Sequence, residues 1–512
     1  MIKGFLINFF FLFAFFTYLQ IIRVFKNKEK SNGKFFAVLK ENGFFVFASL
    51  LTALIHFVFT VYQKKYILPI DMGIYSSCTI LQTYLIYLQL GSLNSFNRDY
   101  PQIVVNGSED DKKKYNNTTF SFLFFSFISA FVLVSIAFVV LFFNNILDIK
   151  YTIGFILSAF VTFLTVMENF SCYRVRIENN FNINSIVKLV QLFSVLVGMV
   201  LIHFIGYYSL YIYSIVNLLI GIVAYGVKGF RGLKFHVDRA LLKTILLSGI
   251  PLLVSSFIWT IVGTIDKFVI LGFINVEALG VYGIAQNAFS YMFLIPLSMS
   301  QIFYTSMCKT YGAKHDTKEL LDVSMKYTSV ITIITSIVMV GAFFLIRPLV
   351  DSFMPNYANG VFSAQILIVG VAIYAPEIVC SNILTILKKN AAIIRESIYV
   401  CVFNIAFSLS FVIIFGPKIE SVALGTAVSY FVRTFVLLIQ LKKYADCGIR
   451  ILLKASIIPL LFSISICLGM YYLIPNIYFG LVISLVLVLI FYFIYNNKFI
   501  KKVLLRLREK EQ

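Results

Sequence analysis

Charge is scarce in this chain. Only 13% of its 512 residues are Asp, Glu, Lys or Arg, against 60% hydrophobic residues and a mean hydropathy of +0.90. Soluble domains carry about 25% charged residues, so a single core folded in water is excluded. Histidine (4) and tryptophan (1) are nearly absent, and the seven cysteines form no CxxC pair, which leaves neither a zinc site nor a disulfide framework indicated. No P-loop, metal-ligand cluster, Ser/His/Asp set or DxD-like glycosyltransferase motif stands out, so ATP-driven work and a catalytic centre are not expected. Long connectors are missing as well. The largest, at 23–42, 96–117, 228–243 and 307–323, are short, polar and basic. Any function must therefore be performed by the apolar segments themselves.

Those segments are long. A spanning helix needs about 20 apolar residues, and fifteen runs answer to this: 4–22, 43–62, 75–95, 118–143, 150–171, 183–203, 207–227, 245–272, 279–306, 324–350, 361–386, 391–415, 420–440, 451–474 and 476–497. On this map 35 of the 43 Lys and Arg fall at alternate connectors. Six lie at the others (Lys3, Lys64, Lys65, Lys150, Arg347, Lys418), and Lys267 and Arg433 lie inside runs. The net charge of +20 is then topological. Under the positive-inside rule the C-terminus is cytoplasmic, and no nucleic-acid partner is needed. Run 4–22 has one positive charge before it, six after it and no small-residue cleavage site. It reads as an extra N-terminal helix ahead of fourteen others.

One run is half polar. At about 100° per residue, Val254, Phe257, Ile258, Ile261, Val262, Ile265, Phe268 and Val269 share one side. Ser255, Ser256, Trp259, Thr260, Gly263, Thr264, Asp266 and Lys267 share the other. A charge in the bilayer costs at least about 2.5 to 3.5 kcal/mol unless it faces protein or water. The polar side thus implies a lined cavity, and a cavity implies transport. Asp266 and Lys267 point about 100° apart, so each needs a partner other than its neighbour.

The chain also repeats itself. Gly73-Ile74-Tyr75 with Tyr84 recurs as Gly280-Val281-Tyr282 with Tyr291, an offset of 207 residues throughout. At that offset Ser49, Ala53 and Thr60 fall on Ser256, Thr260 and Lys267. Six spans separate the two copies, so both run in one direction and the repeat is parallel, about an axis along the membrane normal.

These residues carry a resemblance. Tyr66-Ile67-Leu68-Pro69-Ile70-Asp71-Met72-Gly73-Ile74-Tyr75, then Gly91 and Arg98, resembles the first two spans of Wzx-type polysaccharide flippases in the MATE-like MOP superfamily. Ser248-Gly249-Ile250-Pro251-Leu252, then Ile265-Asp266-Lys267 and Leu279-Gly280-Val281-Tyr282 with Ala285, resembles the start of their second lobe. The likeness covers about residues 36–497 and implies an all-α polytopic fold. Its expected parts are an N-terminal helix and basic linker (1–35), six-helix lobes at 36–230 and 231–440, and two further helices with a basic tail (441–512).

The function so implied is moving an oligosaccharide linked to undecaprenyl pyrophosphate from the cytoplasmic to the outer leaflet of a bacterial inner membrane, for O-antigen or capsule. A polymerase and a chain-length regulator would be pathway partners. Such a cargo needs cationic and hydroxyl-rich surface inside the bundle. Lys267 and Arg433 supply depth, Arg98 and Lys188 lie near the cytoplasmic entrance, Ser256, Thr260 and Thr264 line the polar side, and Trp259, Tyr75, Tyr282 and Tyr374 offer rings. No cofactor is expected beyond a proton or sodium gradient, with Asp266, Glu377 and Glu168 as coupling acids. His56 reads as hydrogen-bonded structure. Pro251, Pro296 and Pro376 each remove a backbone hydrogen bond and mark bends. A MATE-type drug antiporter, a polysaccharide polymerase and a lipid II flippase are the competing readings.

Overall fold

The computed structural model describes residues 33–178, 181–314, 316–445 and 453–495. Run 4–22, most of the linker after it and the tail 498–512 lie outside the described residues. Among those residues every regular element is a helix. One bundle comprises α1 (Gly33–Tyr66), α2 (Pro69–Leu85), α3 (Ser92–Asn106), α4 (Glu109–Phe143), α5 (Ile149–Glu178), α6 (Phe181–Gln191), α7 (Phe193–Ile205) and α8 (Tyr208–Gly229). A second comprises α9 (Arg239–Phe273), α10 (Val276–Lys314), α11 (Thr317–Phe353), α12 (Val361–Tyr374), α13 (Glu377–Ile386), α14 (Asn390–Phe415) and α15 (Ile419–Ala445). Helices α16 (Ile458–Leu473) and α17 (Ile477–Tyr495) pack on α11. Twelve helices are long and apolar enough to cross a membrane. The all-α polytopic reading holds; the twelve correspond to runs four to fifteen, while runs two and three fall on α1 and on α2 with the start of α3, which are not among the twelve.

Helix starts follow from local chemistry. Ser108 caps α4 in a reciprocal box: its hydroxyl accepts from the Asp111 N–H at 3.2 Å, and its own N–H donates to the Asp111 carboxylate at 3.1 Å. Asp238 and Asp316 cap α9 and α11 by accepting backbone N–H groups of Leu241 and Lys318, each at 2.8 Å. The helices outrun the apolar segments at the basic end, where such caps sit in polar sequence.

Three of the expected continuous spans are broken. Between α2 and α3 the chain passes through a short 3-10 turn and then Leu90 and Gly91 at φ 47° and 81°. The second of these lies in the left-handed region that glycine tolerates best. The span 183–203 is interrupted at Leu192, between α6 and α7. Pro376 separates α12 from α13, since it lacks the N–H that would continue the ladder. Pro251 and Pro296, also expected to mark bends, lie inside α9 and α10, which continue past them.

Candidate functional site

The two bundles meet along a seam in which α2 packs on α10, and α3 on α9. Gly73 and Gly280 touch there. A Cβ on Gly280 would fall 1.8 Å from the Pro69 carbonyl oxygen, and one on Gly73 would fall 1.9 Å from the Val276 carbonyl oxygen. Pro69 and Val276 are themselves 207 residues apart. The contact is therefore reciprocal, as a two-fold axis demands. Further along, Tyr291 meets Phe57 edge-on at 5.1 Å, and its hydroxyl lies 2.9 Å from that of Thr60. Its counterpart Tyr84 meets Thr264, the counterpart of Phe57, at 2.6 Å. The repeat read from sequence thus closes on itself in space.

Part of the polar side of α9, Ser256, Thr260 and Thr264, faces this seam. Tyr87 donates to the Ser256 carbonyl at 2.9 Å and makes a short hydrogen bond with Thr260. Lys267 stands where Thr60 stands in the other copy. It is half-buried and, among the described residues, forms neither a hydrogen bond nor an ion pair. Toward the basic end Gly249 lies against Gly91, and Ser95 bonds Ser248 at 2.7 Å. Away from the basic end the seam is shut by Tyr357, whose hydroxyl donates to the Ile67 carbonyl at 2.8 Å. The Lys64 ammonium sits 4.8 Å from the Tyr357 ring centre. Lys64 was expected at a connector surface, yet it is only 2% exposed.

The second bundle also holds charge inside itself. Asp266 accepts from Tyr282 at 2.5 Å and from Thr426 at 2.6 Å, so its partners lie within its own bundle and Lys267 is not one of them. Arg433 is buried. Its Nε donates to Glu396 at 2.6 Å and lies 3.5 Å from Glu377. The guanidinium packs on the rings of Trp259 and Tyr374, at 4.5 and 4.4 Å. Thr434 donates a short hydrogen bond to Glu377. Tyr374 continues a stack through Phe293 on one side and Tyr430 on the other. Arg433 thus already has two carboxylates, and Trp259 covers it. Glu396, which sequence reading missed, is 1% exposed. The available signal was a single acid near the start of an otherwise apolar run.

The first bundle links mostly neutral groups in a chain that ends on one carboxylate. His56 Nδ1 lies 3.0 Å from the Tyr213 hydroxyl, Asn217 donates to that hydroxyl at 3.4 Å, and Gln191 donates to the Asn217 carbonyl at 3.2 Å. Gln191 also donates to Glu168 at 2.5 Å. Gly221 makes room, since a Cβ there would fall 2.3 Å from the Glu168 carboxylate. Lys188 is half-buried one turn before Gln191 and has polar contacts of its own. Arg98 is exposed at the basic end and pairs with Asp99 at 2.6 Å, which holds the Asp99 carboxyl below its usual range. The expected residues therefore fall into three groups: Ser256, Thr260 and Thr264 on the seam, with Lys267 half-buried on the same helix; Asp266, Glu377, Arg433 and Trp259 within the second bundle; Glu168, Lys188 and Arg98 in the first.

A family model described as a polysaccharide biosynthesis protein matches residues 100–333. Among solved structures, "Lipid II flippase MurJ, inward closed conformation" aligns at TM-score 0.66 and 18% identity, covering 89% of this chain and 99% of that one. An inward-facing MATE-family multidrug resistance transporter of the MOP superfamily aligns at 0.64 and 13% identity, covering 76% and 94%. A MOP-superfamily transporter from Pyrococcus furiosus aligns at 0.57 and 12%, covering 78% and 94%. No curated protein matches. The family match supports the polysaccharide-biosynthesis part of the resemblance over residues 100–333, and the solved structures share the fold that the resemblance implied.

Proposed function

We propose that the chain carries an undecaprenyl-pyrophosphate-linked oligosaccharide from the cytoplasmic to the outer leaflet by alternating access, for O-antigen, capsule or a related surface polymer. The observation that carries this reading is Lys267: a half-buried cation deep in an apolar helix, one turn from the Thr264 hydroxyl that meets Tyr84 across the seam, with no ion pair or hydrogen bond among the described residues and with its neighbour Asp266 held by Tyr282 and Thr426. A diphosphate is the kind of group such a cation accepts. The polysaccharide-biosynthesis match and a fold shared with a protein titled a lipid II flippase support a lipid-linked glycan as cargo. Asp266 and the Glu377–Glu396 pair are the coupling acids. Two carboxylates facing one guanidinium leave a negative charge that a proton or sodium ion completes, and its occupancy changes with conformation. Glu168 is the corresponding acid of the first bundle. Arg98 and Lys188 receive the headgroup at the basic, cytoplasmic end, with the C-terminus on that side by the positive-inside rule. No chemical step on the glycan is required. A polymerase and a chain-length regulator act on the product.

In a strain lacking this gene, the expected result is lipid-linked oligosaccharide accumulating on the cytoplasmic face while surface polymer disappears. Lys267→Ala at normal protein level reproduces both effects. Unchanged surface polymer with new sensitivity to cationic toxic compounds would instead establish a drug antiporter on the same fold.

A further inference from the structure

Lys64, in the last turn of α1, is a buried charge that the transport reading leaves without a task. It follows Thr60 by four residues, so the two share one stripe of the helix, and both cross the seam. Thr60 reaches the Tyr291 hydroxyl at 2.9 Å. The Lys64 ammonium reaches α10 and the 3-10 turn Pro355–Gly360 of the second bundle. On α10 it fills a notch, since a Cβ on Gly283 would fall 2.9 Å from Nζ. On the turn it stands 4.8 Å from the centre of the Tyr357 ring. Among the described residues it donates no hydrogen bond and pairs with no carboxylate, and Asp71, on the next helix, is taken by Lys150 at 3.1 Å.

Such burial is costly. An ammonium carries three N–H donors and a strong hydration shell. Taking it out of water with no anion beside it costs more than one aromatic face returns. The ring contact itself does not require burial: the Lys65 ammonium lies 5.2 Å from the Tyr66 ring, and Lys65 is exposed. Both the notch and the ring that enclose Lys64 belong to the other bundle. When the bundles part at this end, the ammonium returns to water and α1 keeps all its own contacts. The charge is dry only while the end of the seam away from the basic one, the outer end under alternating access, is shut.

We infer that Lys64 is a gate residue: closing the outer end of the seam dehydrates its charge, and that cost drives the gate to reopen. Holding the end shut falls to the Tyr357 hydroxyl, which donates to the Ile67 carbonyl at 2.8 Å, and to the backbone contacts of Gly73 and Gly280. The inference rests on the alternating-access reading above and is independent of the cargo. A cation that glued the closed end together would act with the opposite sign, so the direction of the change on removing it decides.

The test uses the full chain in phosphatidylcholine nanodiscs with Ile67→Cys as a reporter. Ile67 is 3% exposed, and its carbonyl, the acceptor of the closing bond, is kept in the variant. The probe is a membrane-impermeant maleimide, and the parent chain's own cysteines give the baseline. On this background Lys64→Met keeps an unbranched side chain and removes the charge. Labelling at residue 67 is expected to slow about tenfold, with a thermal midpoint no lower than that of the reporter alone. Tyr357→Phe removes the closing bond and is expected to speed labelling, which shows that the reporter follows the gate. Unchanged or faster labelling in Lys64→Met, or a lowered midpoint, overturns the inference and leaves the alternating-access reading standing. A reporter that stays unlabelled in every variant removes that reading, and the inference with it.

Discussion

Helices α1 and α2 meet α9 and α10 through contacts that exchange under a shift of 207 residues: Gly73 for Gly280, Pro69 for Val276, Tyr84 for Tyr291. Inside that shared frame the chemistry diverges. Phe59, packed against Tyr213 at 4.6 Å, stands where Asp266 stands; Thr60 stands where Lys267 stands. The first bundle runs a chain of neutral donors and acceptors from His56 to Gln191 and meets a carboxylate at Glu168. The second concentrates Asp266, Lys267, Glu377, Glu396 and Arg433. Duplicated backbone contacts need no particular side chain, because glycines make them. The side chains facing inward were then free to differ, and the second copy took more of the charges, while the first kept Lys64 and Glu168.

The largest expected effect separates ionic from neutral interiors. Removing one member of a buried ion pair strands the other, at about 3 to 5 kcal/mol, whereas losing a neutral hydrogen bond costs about 0.5 to 1.5 kcal/mol. Arg433→Leu leaves Glu396 and Glu377 facing each other in a dry site. Unfolding in detergent is therefore expected at a far lower midpoint for Arg433→Leu than for Tyr213→Phe, which breaks the neutral chain. Equal losses would remove the distinction between the two interiors.

A smaller effect distinguishes the seam positions. A charge-assisted contact with a diphosphate is worth about 1.5 to 3 kcal/mol net, or roughly tenfold to a hundredfold in rate or affinity. Lys267→Ala is expected to slow glycolipid translocation by that factor with little change in thermal stability. Thr60→Ala, at the equivalent position, is expected to leave transport within about threefold, the scale of one neutral bond. Comparable transport defects would mean that Lys267 acts as seam packing and not as a cargo contact.

Much of this arrangement is written locally. Apolar length marks the twelve helices able to cross a membrane, since it reports directly on solvent. The polar side of α9 and the GxY repeat are helical spacings, visible in a single line of sequence. Pairings between distant segments are not visible in that way. Asp266 and Lys267 were expected on one polar side and about 100° apart; Asp266 turns to Tyr282 and Thr426 within its bundle, and Lys267 is not among its partners. Arg433 was expected to offer its charge to the cargo; its carboxylate partner Glu396 lies 37 residues before it on another helix, out of reach of a helical spacing. Lys64 was counted as a connector charge, although Tyr357, 293 residues later, covers it. The break at Leu90 and Gly91 sits within an apolar run, so hydropathy carries no trace of it.

The smallest expected difference is the most exacting test of the repeat. Gly73→Ala and Gly280→Ala each push a methyl group into a backbone carbonyl across the seam, one at Val276 and the other at Pro69. Neither carbonyl can rotate away as a side-chain tip would, so the helices must part locally, and overpacking of this kind costs about 1 to 3 kcal/mol. If the axis relates the two contacts, both variants should lose the same stability within about 0.5 kcal/mol, and the pair together should lose less than the sum, because one opening relieves both clashes. A large loss at one glycine with none at the other would show that the contact only resembles a symmetric one. The divergence between Thr60 and Lys267 would then no longer be a change made on a common frame.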